Sequence, residues 1–123
     1  MRLNKFSVTN YRSIASKSDI SLQDFTVLVG KNNEGKSNLL KALNVAMNTL
    51  LLHGKGIRKN TILNRAYSTR KGHYDWERDF PFQYRNRKNG RSSIFTLEFQ
   101  LNDEEIEEFH DELGLQINGI LQI

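Results

Sequence analysis

The chain has 123 residues, of which 37% are hydrophobic and 26% are charged, a composition typical of one small globular domain and not of a disordered protein. It contains no cysteine, which excludes a disulfide framework and a cysteine-based zinc site. The N-terminus lacks the apolar core of a signal peptide, and no run approaches the roughly 18 apolar residues of a membrane span. We therefore expect a cytoplasmic protein that does not contact the membrane.

The net charge of +4 is unevenly distributed along the chain. Residues 55–93 hold 11 Lys and Arg against three acidic residues, whereas residues 94–123 hold eight acidic residues and no Lys or Arg. Six aromatic residues accompany the cations of the middle segment: Tyr67, Tyr74, Trp76, Phe80, Phe82 and Tyr84. One interpretation is a nucleic-acid contact, because cations neutralise phosphates and aromatic rings stack on bases. The other is an ordered loop whose aromatic side chains pack on the domain and whose cations face water or the acidic segment.

The first elements in chain order are strands. Leu3 to Thr9 reads as a strand with Phe6 and Val8 as candidate core residues, and a second short strand is indicated around Ile20. The run Phe25–Val29 is apolar and β-branched with few polar interruptions, which is typical of a strand buried on both faces. We therefore expect this run to be the central strand of the sheet.

The hydrophobic period changes from Ser37 onward and predicts a helix that ends near Gly54, since a glycine just beyond a helix is a common stop signal. Apolar residues recur there at three- and four-residue steps, as expected for one buried helical stripe. The predicted stripe consists of Leu39, Leu40, Leu43, Ala46, Met47, Leu50 and Leu51.

The acidic C-terminal segment predicts a strand, a helix and a hairpin. Residues 93–101 alternate, with Phe95, Leu97, Phe99 and Leu101 on the inner face of a half-buried strand. Asn102 and Glu105 have the spacing of a capping box at the start of a helix. Ile106 and Phe109, with Leu113 as a further candidate, would form the buried side of that helix. The pair Asn118-Gly119 is typical of a hairpin turn.

The stretch GKNNEGKS, residues 30–37, fits the phosphate-loop pattern G-x-x-x-x-G-K-[ST]. Gly30 and Gly35 allow the backbone to turn tightly and to approach a ligand, and the N-terminus of the following helix favours an anion. Lys36 would place its ammonium between the β- and γ-phosphates of ATP, and Ser37 would offer its hydroxyl to Mg²⁺. The predicted nucleotide-binding residues are Gly30, Lys31, Asn32, Asn33, Glu34, Gly35, Lys36, Ser37 and Asn38.

The loop and the helix after it, GKNNEGKSNLLKAL, together with NYRSI at residues 10–14, resemble the ABC-type ATPase heads of RecF, SMC-like proteins and OLD (overcoming lysogenization defect) endonucleases. The resemblance is closest to the OLD type and implies the α/β fold of a P-loop NTPase. It implies the N-terminal half of an ABC-type head, with a mixed sheet, a central phosphate-loop strand and flanking helices. Residues 1–123 would form part of one domain: strands, loop and helix over 1–54, a basic aromatic insertion over 55–93, and a strand and acidic helix over 94–123.

The resemblance also implies a function. ATP and Mg²⁺ would control DNA processing by a nuclease that acts in anti-phage defence, and a second ATPase head would complete the nucleotide site. Arg12 would be an auxiliary phosphate contact, although a solvated surface arginine remains the alternative for this residue. The competing whole-protein interpretation is an ATP-gated DNA-binding or clamp protein of the SMC or RecF kind without nuclease activity. A Toprim acidic cluster elsewhere in the protein would favour the nuclease, and long heptad coiled coils would favour the clamp.

Residues that hydrolysis requires are missing from the sequence. None of the six aspartates follows four consecutive apolar residues, which is where a magnesium-binding carboxylate would end a buried strand. An L-S-G-G-Q-like signature and a nuclease carboxylate cluster are also absent. We assign no catalytic residue, and we expect the 123-residue chain alone to bind ATP weakly and to hydrolyse almost none.

Overall fold

The computed structural model describes residues 1–30, 34–54, 74–86, 92–114 and 116–123. Within these ranges the chain forms four strands, three α-helices and one 3-10 turn, so the α/β class is confirmed. The predicted mixed sheet is wrong for the described residues, because all the described strand pairs are antiparallel. The strands are β1 (Arg2–Thr9), β2 (Ser18–Ser21), β3 (Ile94–Gln100) and β4 (Ile120–Gln122). The helices are α1 (Glu34–Gly54), α2 (Trp76–Asp79) and α3 (Asp103–Leu113), and the 3-10 turn covers Phe82–Tyr84.

The four strands form one antiparallel sheet in the order β2-β1-β3-β4. Phe6 lies opposite Leu97 in the β1–β3 pair, and Val8 lies opposite Phe95. Because side chains alternate between the faces of a strand, this register gathers the apolar residues of both strands into one core. The predictions for β1 and β3, including Phe6 and Val8 as core residues, are confirmed.

Helix α1 packs on β1 and β3 through most of the predicted stripe. Ala46 is buried, and Leu39, Leu43, Met47 and Leu50 pack partly buried against the core, whereas Leu40 and Leu51 are exposed. Ala42 and Val45, which the predicted stripe did not include, are also buried. The small alanines permit a close approach of the helix to the sheet, and the larger side chains beside them are left at the margin of the contact. The last described residue of α1 is Gly54; the residues after it lie outside the described ranges, so the predicted end of the helix at this glycine stays a prediction.

The predicted central strand over Phe25–Val29 is wrong for the described structure. This segment is not a strand, and although Leu28 is half-buried, Phe25 is 82% exposed, Val27 60% and Val29 87%. A strand buried on both faces needs a hydrogen-bonded neighbour on each side and helices above and below it. None of the four described strands pairs with residues 25–29.

At the C-terminal end, α3 begins with the predicted capping box. The Asn102 side chain accepts from the Glu105 backbone N–H at 2.8 Å, and Glu105 accepts from the Asn102 backbone N–H at 2.9 Å. The predicted local hairpin around Gly119 is wrong, because β4 instead pairs with β3 and Leu101 N–H donates to the Gly119 carbonyl at 2.9 Å. Of the predicted buried side of α3, Leu113 is exposed. None of the described helices is long and apolar enough to cross a membrane.

Candidate functional site

The phosphate-loop motif lies at the N-terminus of α1. The described helix begins at Glu34 and not at Ser37 as predicted, so Gly35, Lys36 and Ser37 belong to its first turn, where backbone N–H groups lack partners within the helix. The Lys36 ammonium donates to the Gly30 carbonyl and thereby connects the start of the loop to the helix. Ser37 is exposed at the helix end. Lys31, Asn32, Asn33 and the side chain of Glu34 lie outside the described residues.

Gly30 has space around it in this structure. A Cβ at this position would meet no heavy atom within 4 Å, so the described protein atoms do not require glycine there. We expect glycine at position 30 because a ligand phosphate would approach the backbone closely there, and this reason stays a prediction. The positive end of the α1 dipole favours an anion at the same place.

Asn38 connects the phosphate-loop helix to the turn after β1. Its side chain is buried, and its Nδ2 donates to the Ser13 hydroxyl at 2.7 Å. This contact fixes the first turn of α1 against residues 10–14. Asn38 was predicted to bind the nucleotide; the geometry gives it a positioning contact, and its role toward a ligand stays a prediction.

Arg12 projects from a tight turn over residues 10–14. Tyr11 and Ile14 form an isolated antiparallel bridge, and both are buried. Asn10 and Arg12 have positive φ angles of 54° and 49°, a backbone conformation that costs non-glycine residues of order 1 kcal/mol. The Arg12 backbone N–H donates to the Asp79 carbonyl at 2.6 Å, and its side-chain Nε donates to Asp79 Oδ1 at 2.9 Å. The strained turn is thus held by a residue far along the chain.

Asp79 is the central residue of this arrangement, and the sequence did not reveal it. Its side chain is fully buried. In addition to Arg12, it accepts from Arg78 Nε at 2.9 Å, from Arg78 Nη2 at 2.7 Å and from the Asp75 backbone N–H at 2.9 Å. No linear pattern distinguishes Asp79 from Asp75 in the stretch DWERD; its role depends on the contact with Arg12.

The surroundings of Asp79 keep its carboxylate ionised. Burial acts to raise the pKa of Asp79, but hydrogen bonds from Arg78 and the Asp75 backbone, with the charges of Arg78 and Arg12, hold the pKa below its ordinary value. The neighbouring Tyr11 hydroxyl has a raised pKa, first because it is buried and second because of the Asp79 charge.

A cavity of about 680 Å³ lies between the first turn of α1, the turn after β1 and the segment 78–85. It brings together three residues predicted to bind nucleotide, Arg12, Ser37 and Asn38. Among the described residues that line it there are four cations and no carboxylate. The full lining consists of Arg12, Ser13, Ser37, Asn38, Lys41, Arg78, Phe80, Pro81, Phe82 and Arg85.

The residues present fit an anionic nucleotide. The helix N-terminus and Arg12 both face the cavity region, and Ser37 provides a hydroxyl oxygen for Mg²⁺ there. No group of three His, Cys, Asp or Glu side chains within the described ranges is arranged to hold a metal ion. Any Mg²⁺ at Ser37 would therefore take most of its ligands from phosphate oxygens and water, as Mg²⁺ in nucleotide sites commonly does.

The sequence model of the AAA ATPase domain matches residues 1–119, which is nearly the whole chain. The chain belongs to the AAA ATPase domain family. Membership of this family implies that the chain binds a nucleotide.

Two relatives match shorter parts of this AAA ATPase domain. The Old nuclease of Escherichia phage P2 is 51% identical over 43 residues, which are 35% of this chain and 7% of the nuclease. An uncharacterized protein of Methanocaldococcus jannaschii is 46% identical over 44 residues, which are 36% of this chain and 13% of that protein. The matches thus span only a small part of each relative. No solved structure matches the chain.

Proposed function

We propose that this AAA ATPase domain binds ATP with Mg²⁺ as the N-terminal portion of the ATPase of an OLD-like nuclease, in which ATP controls DNA processing during anti-phage defence. The observation that carries the nucleotide-binding part is the shared cavity of Arg12 and Ser37 at the start of α1. Two independent predictions, the phosphate loop and the auxiliary arginine, refer to residues 25 positions apart that line the same space.

Charge and geometry support the assignment of roles. Lys36 is in the first turn of α1 with its ammonium on the Gly30 carbonyl, from which it can move to a phosphate oxygen of higher negative charge. Arg12 is held by Asp79 at the cavity wall, so its guanidinium needs little reordering to meet a phosphate. Ser37 supplies the hydroxyl for Mg²⁺.

The similarity to the Old nuclease of phage P2 supports the nuclease part of the proposal. That similarity favours a nuclease over a clamp protein of the SMC or RecF kind. We further propose that the full-length protein acts in the cytoplasm on DNA, and that its ATPase head pairs with a second head, which would supply the parts of the nucleotide site that the 123-residue sequence does not contain.

Calorimetric titration with ATP and Mg²⁺ tests the nucleotide-binding proposal. Lys36→Ala should weaken ATP binding by on the order of 2–4 kcal/mol, the loss expected for removal of a charge-assisted phosphate contact. Lys17→Ala is the matched control, because Lys17 is an exposed lysine that pairs with Asp19 at 3.5 Å. Equal ATP affinities of the two variants would overturn the proposed site.

A further inference from the structure

The cavity beside α1 carries more positive charge than one nucleotide requires. In the proposed function, Lys36, the helix N-terminus and Arg12 already meet the phosphates of ATP. Lys41, Arg78 and Arg85 line the same cavity as Arg12, whereas Lys36 is not among the lining residues. Asp79 lies behind the wall and offsets part of the charge of Arg12 and Arg78, but no described carboxylate lies within ion-pair distance of Lys41 or Arg85. This excess of cations favours a ligand that brings additional phosphates.

An exposed aromatic ring stands beside these cations. Phe82 also lines the cavity and is 82% exposed, although Phe80 two residues before it is buried and stacks on Trp76 with ring centroids 5.5 Å apart. Arg85 lies over the Phe82 ring at 5.3 Å and over the Trp76 ring at 5.8 Å. The 3-10 turn thus fixes one aromatic face toward solvent at the edge of a basic cavity. Such a pair of features binds unpaired nucleotides, because any base can stack on the ring while its phosphate meets the cations.

Hydrogen bonds hold the Arg85 guanidinium at the cavity. Its Nη2 donates to the backbone carbonyls of Glu77 and Phe80. Its Nε is buried and therefore closed to a ligand, so Arg85 would meet a phosphate through its remaining guanidinium N–H groups.

We propose that Phe82, Arg85, Arg78 and Lys41 bind a single-stranded segment of DNA beside the nucleotide site, with a base stacked on Phe82 and the adjoining phosphates on the cations. The inference rests on the proposed function, which supplies DNA as the partner. It adds the location and the chemistry of the contact. Because the cavity also includes Ser37 and Arg12, a strand bound there lies next to the phosphates of ATP.

The test uses a fluorescein-labelled oligothymidine of about 12 nucleotides and measures its fluorescence anisotropy with the whole chain. Phe82→Leu, which keeps an apolar side chain but removes the ring, should weaken oligothymidine binding about 5- to 100-fold, the loss expected for one stacked base. Phe82→Tyr, which keeps the ring, should bind within about twofold of wild type. Unimpaired binding by Phe82→Leu, or equal loss in both variants, would overturn the proposal.

The salt dependence of binding gives a second readout. Lys41→Ala should reduce the slope of log K against log salt by about 0.7, the value for one phosphate contact on a single strand. Lys17→Ala, which changes an equally charged surface residue outside the cavity, should leave the slope unchanged. Equal slopes for the two variants would contradict a phosphate contact at Lys41.

ATP affinity, measured on the same proteins, separates this inference from the proposed function. If wild type binds ATP but not oligothymidine, the strand site is overturned and the nucleotide site stands. If Phe82→Leu loses ATP affinity and keeps oligothymidine affinity, the cavity holds the base of ATP and the strand site is again overturned. If oligothymidine binding depends on Phe82 while ATP does not bind, the strand site stands and the proposed nucleotide site fails.

Discussion

Asp79 holds Arg12 through two hydrogen bonds although 67 residues separate them in the chain. The Asp79 backbone carbonyl accepts from the Arg12 N–H at 2.6 Å, and its carboxylate accepts from Arg12 Nε at 2.9 Å. One bond fixes the backbone of a turn with positive φ, and the other fixes the direction of its side chain. The segment that contains Asp79 is therefore part of the frame of the candidate nucleotide site.

Asp79→Asn should destabilise the protein by about 2 kcal/mol or more at pH 7. The substitution leaves Arg12 and Arg78 next to a neutral, buried amide, and their partial exposure lets water offset some of the loss. Urea unfolding measures the change. Asp24→Asn is the control, because Asp24 also pairs with an arginine, Arg2, but is exposed, and it should cost less than about 1 kcal/mol. Equal effects of the two substitutions would contradict a structural role for Asp79.

The difference in stability between wild type and Asp79→Asn should depend on pH. The pKa of Asp79 is lower in the folded protein than in the unfolded chain, so its ionised form stabilises the fold. That contribution is fully present above the unfolded-state pKa of about 3.9 and is lost as the pH falls through the lower folded-state value. The difference in free energy of unfolding should therefore be constant from neutral pH down to about pH 4 and should shrink below it, as the pH falls toward the lower folded-state pKa. A difference that stays constant below about pH 4 as well would contradict the assignment.

Val8→Thr should lower the free energy of unfolding much more than Val27→Thr. The two substitutions are chemically identical, but the two sites differ in burial. Val8 is fully buried, and a hydroxyl there should cost about 1–3 kcal/mol unless it finds a partner. Val27 is exposed, and its substitution should change stability by no more than about 0.5 kcal/mol. Thermal and urea unfolding measure both. A loss at Val27 as large as that at Val8 would support a buried central strand over residues 25–29 instead.

The purified 123-residue chain should hydrolyse ATP no faster than buffer containing Mg²⁺. Among the described residues around the cavity, no carboxylate is available to polarise an attacking water, and positioning of that water is what phosphoryl transfer to water requires. A phosphate-release assay at an ATP concentration that saturates binding measures the rate. Turnover that disappears in Lys36→Ala would show that the chain carries its own catalytic base.

Local features of the sequence predicted their own structure well. The alternation of β1 and β3 and the capping box of Asn102 and Glu105 depend on residues within a few positions of one another, and both are confirmed. The phosphate-loop motif is also local, since its spacing encodes a turn and a helix N-terminus, and its binding residues stay a prediction. The sequence by itself thus determined the α/β class and the ATPase family.

Contacts between distant residues decided the rest. The apolar run Phe25–Val29 has the composition of a buried strand, but a strand forms only where a neighbour offers its backbone, and the described strands pair with one another. The sequence does not distinguish Asp79 from the other acidic residues of the basic segment; its contact with Arg12 exists only in the folded chain. Burial and pairing are properties of the three-dimensional neighbourhood, so only the tertiary structure could establish which carboxylate holds the site together and which hydrophobic residues face water.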